Sequence, residues 1–255
     1  GVMRTPPANW TTYKDRNEVG SFRRDFEIPQ DWDGREVFIS FDGVDSFFYL
    51  WINGQYVGFS KNSRNTANFN ITPYLQKGKN TVAAEVYRSS DGSFLEAQDM
   101  FRLPGIFRTV ALYSVPKVHF RDLVATPDLD ATYTDGSLTV NAEIRNLDKK
   151  AIKDYKVYYS LYANKLYSDE NTLVDGFLSP VIDKIAPNET GSVQTVLKVK
   201  APNKWSAEFP YRYTLVAELK DKKNRTVEMV STIVGFRKVE IKDTPASEDE
   251  FGLAG

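Results

Sequence analysis

The sequence S-F-F-Y-L-W-I-N-G-Q-Y-V-G-F-S, residues 46–60, decides the fold class. Residues 46–52 are almost wholly apolar and rich in the aromatic types that favour strands. Asn53-Gly54 follows, and this pair predicts a two-residue hairpin turn, because both turn positions need a positive φ. Residues 55–60 then form the returning strand. Since residues 46–52 offer apolar side chains to both faces, we expect both faces to be covered, which requires a second layer of structure.

Alternating strand patterns lie on both sides of this hairpin. Residues 21–28 show the pattern clearly, because Phe22, Phe26 and Ile28 fall on one side, as in a half-buried strand. The other strands predicted in the first half are residues 35–41, 68–71, 81–87 and 107–113. Short strands joined by tight turns, without a convincing helix, predict an antiparallel sandwich or jelly roll.

The second half of the sequence contains a plainer series of strands. Residues 114–117, S-V-P-K, mark the boundary, since proline stiffens a short linker and new strands follow it. The predicted strands are residues 118–125, 137–146, 153–162, 191–199, 211–219 and 226–234. Their length and spacing predict an immunoglobulin-like sandwich. A chain of 255 residues is long enough for two such domains.

Composition excludes several classes of function. The 33 Lys plus Arg residues balance 34 Asp plus Glu, so the formal charge of -1 gives no reason to expect nucleic acid or an anionic membrane as partner. The absence of cysteine excludes disulfides and thiolate metal sites. The single histidine, His119, lies in the alternating run V-H-F, which favours a structural or surface role. Any hydrolytic chemistry is therefore expected to rest on carboxylates.

The connection formed by residues 88–108, R-S-S-D-G-S-F-L-E-A-Q-D-M-F-R-L-P-G-I-F-R, has the mixture of carboxylates and apolar side chains typical of a site. Its carboxylates belong to Asp91, Glu96 and Asp99. Glu96 and Asp99 are the residue types of an acid and base pair for glycoside hydrolysis. Two alternatives are open: oxygen ligands for a hard cation, and carboxylates that only cap backbone amides.

The aromatic residues Phe47, Phe48, Tyr49 and Trp51 are a second candidate, as a platform on which a sugar ring stacks. Consecutive residues of a strand point to alternate faces. Because large apolar side chains are usually buried, we expect most of these four to lie in the core.

Five motifs, in matching order and spacing, resemble the bacterial β-galactosidases of glycoside hydrolase family 2. They are G-S-F-R-R-D-F at 20–26, F-D-G-V-D-S-F-F-Y-L-W-I-N-G at 41–54, S-D-G-S-F-L-E-A-Q-D-M-F-R-L-P-G-I-F-R at 90–108, K-W-S-A-E-F-P-Y-R-Y at 204–213 and G-F-R-K-V-E-I at 235–241. The resemblance implies a jelly-roll, galactose-binding-like domain over residues 1–115, truncated at its N-terminus, and an immunoglobulin-like domain over residues 116–242. Residues 243–255 would lead to a missing TIM barrel.

In that family the barrel carries both catalytic glutamates, so the resemblance implies no catalytic residue in this chain. The parent enzyme would hydrolyse terminal β-D-galactosides, with this chain as scaffold and active-site rim. The Q-D-M segment of the family supplies an aspartate near the sugar hydroxyls and a bound sodium ion, and here that residue is Asp99. Its neighbours Ala97, Phe101 and Leu103-Pro104 depart from the usual pattern, which leaves the fine specificity open.

The resemblance further implies sodium and magnesium in the full enzyme, no cofactor in this chain and a homo-oligomeric parent. The alternatives are a stand-alone carbohydrate-binding module and the front of a β-glucuronidase or β-mannosidase. Neither composition nor resemblance decides between bacterial cytoplasm and periplasm.

Overall fold

The computed structural model describes residues 17–95, 101 and 103–241. The described chain is nearly all β, with a single α-helix, α1 (Asp91–Leu95), so the all-β prediction is confirmed. Contacts along the chain divide it into two compact units, Gly1–Lys117 and Val118–Gly255. Among the described residues, no helix is long and apolar enough to cross a membrane.

The described residues of the first unit form nine strands. They are β1 (Val19–Glu27), β2 (Glu36–Phe41), β3 (Val44–Asp45), β4 (Phe47–Ile52), β5 (Gln55–Ser60), β6 (Ala67–Asn70), β7 (Lys79–Tyr87), β8 (Gly105–Ile106) and β9 (Val110–Val115). A four-stranded sheet in the order β1-β7-β4-β5 faces a three-stranded sheet in the order β6-β2-β9, and β3 pairs with β8. All of these pairs are antiparallel.

The core of the first unit lies between these two sheets. Phe48, Leu50 and Ile52 of β4 are buried, and they belong to the same apolar cluster as Val37 and Ile39 of β2. The alternate residues of β4 point to the outer face and are only partly buried. The prediction that both faces of this strand are covered is therefore wrong for the outer face, and of the four aromatic candidates Phe48 alone is a core residue.

The predicted hairpin between β4 and β5 is confirmed. Asn53 has a φ of 52° and Gly54 a φ of 77°, the left-handed values that this turn needs. The Asn53 side chain also ties the turn to the sheet, because its Nδ2 donates to the Tyr74 carbonyl at 2.9 Å and to Asn80 Oδ1 at 2.8 Å. Its Oδ1 accepts the backbone N–H of Thr81 at 2.8 Å.

Two features of the first unit differ from the prediction. Strand β1 is mostly exposed, and Phe22 keeps 45% of its surface exposed, because β1 is an edge strand and borders an apolar groove of about 610 Å³ beside β9. The expectation of no helix is also wrong. Helix α1 and two short 3-10 turns, Gln30–Trp32 and Thr72–Tyr74, lie in the connections.

In the second unit, the residues up to 241 that the structure describes form seven strands in two antiparallel sheets. They are β10 (Val118–Leu129), β11 (Gly136–Asn146), β12 (Lys156–Asn164), β13 (Asn171–Leu178), β14 (Thr190–Val199), β15 (Tyr213–Lys220) and β16 (Thr226–Val234). The sheet orders are β10-β11-β14 and β13-β12-β15-β16, which form the predicted immunoglobulin-like sandwich. Alternate residues of β11 and β15 are buried along the whole length of each strand, as a one-sided sheet requires. His119 is buried in β10.

Candidate functional site

A polar cleft of about 680 Å³ opens in the first unit where the connection after β7 begins. Three segments form its walls: the end of β5 with the loop after it, the buried strand β3, and helix α1. The lining residues that carry charge are Asp45, Lys61, Arg64, Arg88 and Asp91. The cleft thus combines the first residues of the predicted site with a loop that the sequence did not single out.

Strand β3 and the residue after it hold both ends of the connection. The backbone N–H of Ser46 donates to the carbonyl of Tyr87, at the end of β7, at 3.2 Å. Asp45 pairs with Gly105 of β8, where the chain returns. Because the two anchors are adjacent residues, the chain leaves β7 and re-enters the sheet structure at neighbouring points.

Residues before β1 fix the outgoing end of the connection. The Asn17 side chain pairs with the backbone of Ser89 in both directions, donating from Nδ2 at 2.5 Å and accepting at Oδ1 at 2.8 Å. Arg88 forms an ion pair with Glu18 at 2.7 Å. Both partners of that pair are more than half exposed, so the reciprocal amide contact is the firmer restraint.

Helix α1 is short but capped. Ser93 Oγ accepts the backbone N–H of Ser90 at 3.1 Å, the contact that the third residue of a helix makes with its N-cap in a capping box. Asp91 Oδ2 lies 2.8 Å from Lys61 Nζ. The Lys61 ammonium first, and then the backbone N–H of Gly92, lower the pKa of Asp91. Asp91 is therefore ionised near neutral pH and is committed to a structural contact rather than to proton transfer.

The cations of the cleft are all balanced by carboxylates. Lys61 pairs with Asp91, and Arg88 pairs with Glu18. Arg64 Nη2 lies 3.6 Å from the buried carboxylate of Asp45. Since each cation in the described lining already has an acidic partner, the cleft offers no unpaired positive charge for an anionic sugar. Its charge balance fits a neutral ligand.

An aromatic ring between two guanidinium groups supports the wall that Arg64 provides. The Phe107 ring centroid is 5.4 Å from Arg64 Cζ and 5.5 Å from Arg108 Cζ, within the range of cation–π contacts. Gly43 lies against this ring, and a Cβ at position 43 would approach Phe107 Cζ to 2.7 Å. A side chain at position 43 would therefore force the Phe107 ring to shift.

Of the site residues predicted from sequence, the structure describes only some. Asp91 lies at the cleft, but Glu96, Asp99 and the neighbouring Gln98 and Met100 lie outside the described residues. The role assigned to Asp99 stays a prediction. Within the described residues, no three acidic or histidine side chains are grouped so that they would hold a metal ion.

Sequence reasoning missed Asp45, Lys61 and Arg64. The run K-N-S-R-N at residues 61–65 is a polar stretch directly after the returning strand of the hairpin, which was the available signal. Ser63 Oγ donates to the carbonyl of Ser46 at 3.1 Å and so fixes this loop against the anchor of the connection.

Comparison with known proteins gives two matches to one family. Residues 4–116 match the sugar binding domain of glycosyl hydrolases family 2, and residues 118–237 match a second domain of glycosyl hydrolases family 2. A protein named beta-galactosidase from Priestia megaterium (strain DSM 319 / IMG 1521) is 43% identical over 238 residues, which are 93% of this chain and 22% of that protein. A beta-galactosidase from Halalkalibacterium halodurans is 36% identical over 89% of this chain and 21% of its own length.

Solved structures share the fold. The crystal structure of a Bacteroides uniformis beta-glucuronidase superposes with a TM-score of 0.76 at 22% identity, covering 90% of this chain and 27% of the other. The chain spans about a fifth of the length of the curated relatives it matches. The two family matches together leave few residues uncovered, and the chain belongs to glycoside hydrolase family 2.

Proposed function

We propose that this chain is the non-catalytic front of a longer β-galactosidase that hydrolyses terminal β-D-galactosides. The observation that carries the proposal is the 43% identity to a protein named beta-galactosidase over 93% of this chain, which corresponds to 22% of that protein. In this proposal the two β units are scaffold and active-site rim. The catalytic glutamates belong to a TIM barrel elsewhere in the longer protein.

The charge balance of the cleft supports a galactoside over a glucuronide. A glucuronide carries a carboxylate, and burial of an unpaired carboxylate is costly unless a cation receives it. Lys61, Arg64 and Arg88 are each already within ion-pair distance of an acidic side chain. Galactose is neutral and requires only hydrogen bonds, which paired side chains still provide.

Asp99 is the residue of this chain that we propose contacts the substrate and helps to hold sodium. Magnesium and a homo-oligomeric assembly belong to the same proposal for the longer protein. Ser46 and Gly105 support the role of Asp99 indirectly, because they anchor the ends of the loop that carries it.

The test is turnover by the longer protein, expressed from the complete coding sequence, on nitrophenyl β-galactoside, β-glucuronide and β-mannoside. We expect kcat/KM for the galactoside to exceed the other two by about 100-fold or more, because a polar pocket discriminates strongly among charged and epimeric sugars. The 255-residue chain should turn over none of them. A longer protein that prefers the glucuronide or the mannoside would refute the galactosidase proposal.

A further inference from the structure

A cluster of six aromatic side chains covers part of the outer face of the four-stranded sheet. Each ring contacts at least two others, with centroid distances from 4.7 to 6.3 Å. The members of this aromatic face are Phe47, Tyr49 and Trp51 of β4, Tyr56 and Phe59 of β5, and Tyr87 of β7. The face lies opposite the core and belongs to no contact described so far.

A β-bulge assembles this face. Tyr56 and Phe59 are three residues apart, so strict alternation would place them on opposite faces of β5. The register of β5 shifts between Leu50 and Trp51 of β4, so that Tyr56 lies opposite Trp51 and Phe59 lies opposite Tyr49. Both rings therefore point outward. Without the extra residue only one of these two rings would lie on the face that carries Phe47, Tyr49 and Trp51 of β4.

The aromatic face is accessible. Tyr56 keeps 50% of its surface exposed and Phe59 keeps 53%, while the three rings of β4 are half-buried among their neighbours. Contiguous exposed apolar patches rimmed by polar groups mark interaction sites in soluble proteins.

The chemistry of the face suits a sugar chain. Tyr49, Trp51, Tyr56 and Tyr87 each combine an apolar ring with a hydrogen-bonding group. The carboxylate of Glu85 lies among the rings, opposite Tyr49 in the sheet. A pyranose has C–H faces that pack on rings and hydroxyl edges that need hydrogen bonds, so alternating rings and polar groups match both of its surfaces.

The geometry of the rings excludes a flat platform and favours a single chain. Interplanar angles within the face run from 43° to 89°, so successive rings present their faces in different directions. A single saccharide chain, whose successive units are rotated about the glycosidic bonds, fits such a surface better than a crystalline polysaccharide sheet does.

The aromatic face is continuous with the polar cleft. Phe59 belongs to the ring cluster and also lines the cleft. Tyr87 belongs to the cluster, and the next residue, Arg88, lines the cleft. A ligand that enters the cleft with one end can therefore extend along the rings without leaving the surface of the first unit.

We propose that the aromatic face binds the saccharide units of a β-galactoside chain that extend beyond the cleft. The choice of galactoside rests on the proposed function, whereas the site itself rests on the ring cluster and its continuity with the cleft. The site would favour longer substrates over small galactosides.

The test uses the 255-residue chain with two probes, β-1,4-linked galactotetraose and galactose, in calorimetric titrations. We expect the tetraose to bind about tenfold more tightly than galactose, since each additional stacked unit adds to the binding free energy. Tyr56→Ala and Phe59→Ala should each weaken tetraose binding about fivefold or more, because half of each ring is already exposed and the fold tolerates its loss.

The matched control is Tyr113→Ala. Tyr113 is 38% exposed and stacks on Phe38 at 5.3 Å in the three-stranded sheet of the same unit, so its removal should leave tetraose binding unchanged. Equal affinity for tetraose and galactose, or a loss with Tyr113→Ala as large as with Tyr56→Ala, would overturn the proposal. So would a chain that sediments as a dimer which Tyr56→Ala dissociates, because a second copy would then cover the face.

Tetraose binding tests the aromatic face, and turnover of nitrophenyl β-galactoside tests the proposed function, so the two can fail separately. Turnover of nitrophenyl β-galactoside by the longer protein needs no additional sugar units. If that turnover is present and the tetraose does not bind, saccharide binding by the aromatic face is refuted and the galactosidase proposal stands.

Discussion

Gly43 is a single residue whose missing side chain makes room for part of the cleft wall. A Cβ there would lie 2.7 Å from Phe107 Cζ and 3.0 Å from Arg108 Cδ, so Gly43→Ala must displace the ring from between its two arginines. We expect a loss of about 1–3 kcal/mol, typical of overpacking, in urea unfolding of the chain. Gly92→Ala is the control, because its nearest neighbour is 3.6 Å away, and it should cost little. Equal losses would argue against the ring contact.

Tyr159 gives the second unit a defined pH dependence. The side chain is fully buried and stacks on Phe177 at 4.8 Å, and burial raises the pKa of Tyr159 to about 12. An unfolded tyrosine loses its proton near pH 10, so between pH 10 and 12 the unfolded chain is deprotonated while the folded chain is not. This contribution to stability is therefore complete below pH 10 and is lost as the pH rises through 12.

We expect Tyr159→Phe to reduce the loss of stability between pH 10 and 12 by roughly 2–3 kcal/mol, measured by urea unfolding across that range. Thr195→Val is the matched variant. It removes the buried hydroxyl that acts on Tyr159, and it leaves the titrating group in place. Thr195→Val should retain this pH dependence and make it slightly larger, because burial raises the pKa of Tyr159 whereas the Thr195 hydroxyl lowers it. A Tyr159→Phe variant with an unchanged pH dependence would contradict the assignment.

At the scale of single elements, the β4–β5 hairpin depends on a side chain as much as on its turn geometry. Asn53 makes three hydrogen bonds, to Tyr74, Asn80 and Thr81, and Asn80 itself is fully buried. Asn53→Gly keeps the left-handed φ but removes those bonds. We expect it to destabilise the first unit by about 2–3 kcal/mol in chemical unfolding. Asn65→Gly, in the exposed loop after β5, should change stability by less than about 0.5 kcal/mol.

The same hairpin shows what the sequence predicts well and where it fails. The bounds of β5 agree with the prediction, because alternation, aromatic content and Asn53-Gly54 all indicate the same strand and turn. The bulge opposite Leu50 and Trp51 is not predicted, since no local residue requires it. Its consequence is large, because it decides that Tyr56 and Phe59 share one face.

The sequence does not predict strand β13, and the reason is a different one. Its sequence, N-T-L-V-D-G-F-L, contains Asp175-Gly176, a pair that indicates a turn. Pairing with β12 overrides that local signal, and the stack of Phe177 on Tyr159 stabilises the extended conformation.

The cleft was also only partly predictable from the sequence. Lys61 and Asp91 are 30 residues apart, and their contact depends on how two strands deliver their following loops to one place.

At the scale of the whole molecule, the charges are balanced both globally and at the cleft. The net charge of -1 predicts no general affinity for polyanions. At the candidate site, Lys61, Arg64 and Arg88 each form an ion pair, so the charges are balanced there too. The composition indicates only the global charge balance. The balance at the cleft depends on tertiary pairing of residues up to 70 positions apart, as in Arg88 and Glu18.

In the proposed function Asp99 acts together with parts of a longer protein outside this chain, so the effect of its substitution should differ between that protein and this chain. In the longer protein we expect Asp99→Asn to lower kcat/KM for nitrophenyl β-galactoside by about 100-fold, because the lost charge acts on sugar hydroxyls inside a completed pocket. Glu96→Gln, three residues away, should have an effect below about threefold. In the 255-residue chain, galactose should bind with a Kd above about 1 mM, and Asp99→Asn should leave that affinity unchanged. Submillimolar galactose binding by this chain that Asp99→Asn abolishes would show that the first unit forms the sugar site without the rest of the protein.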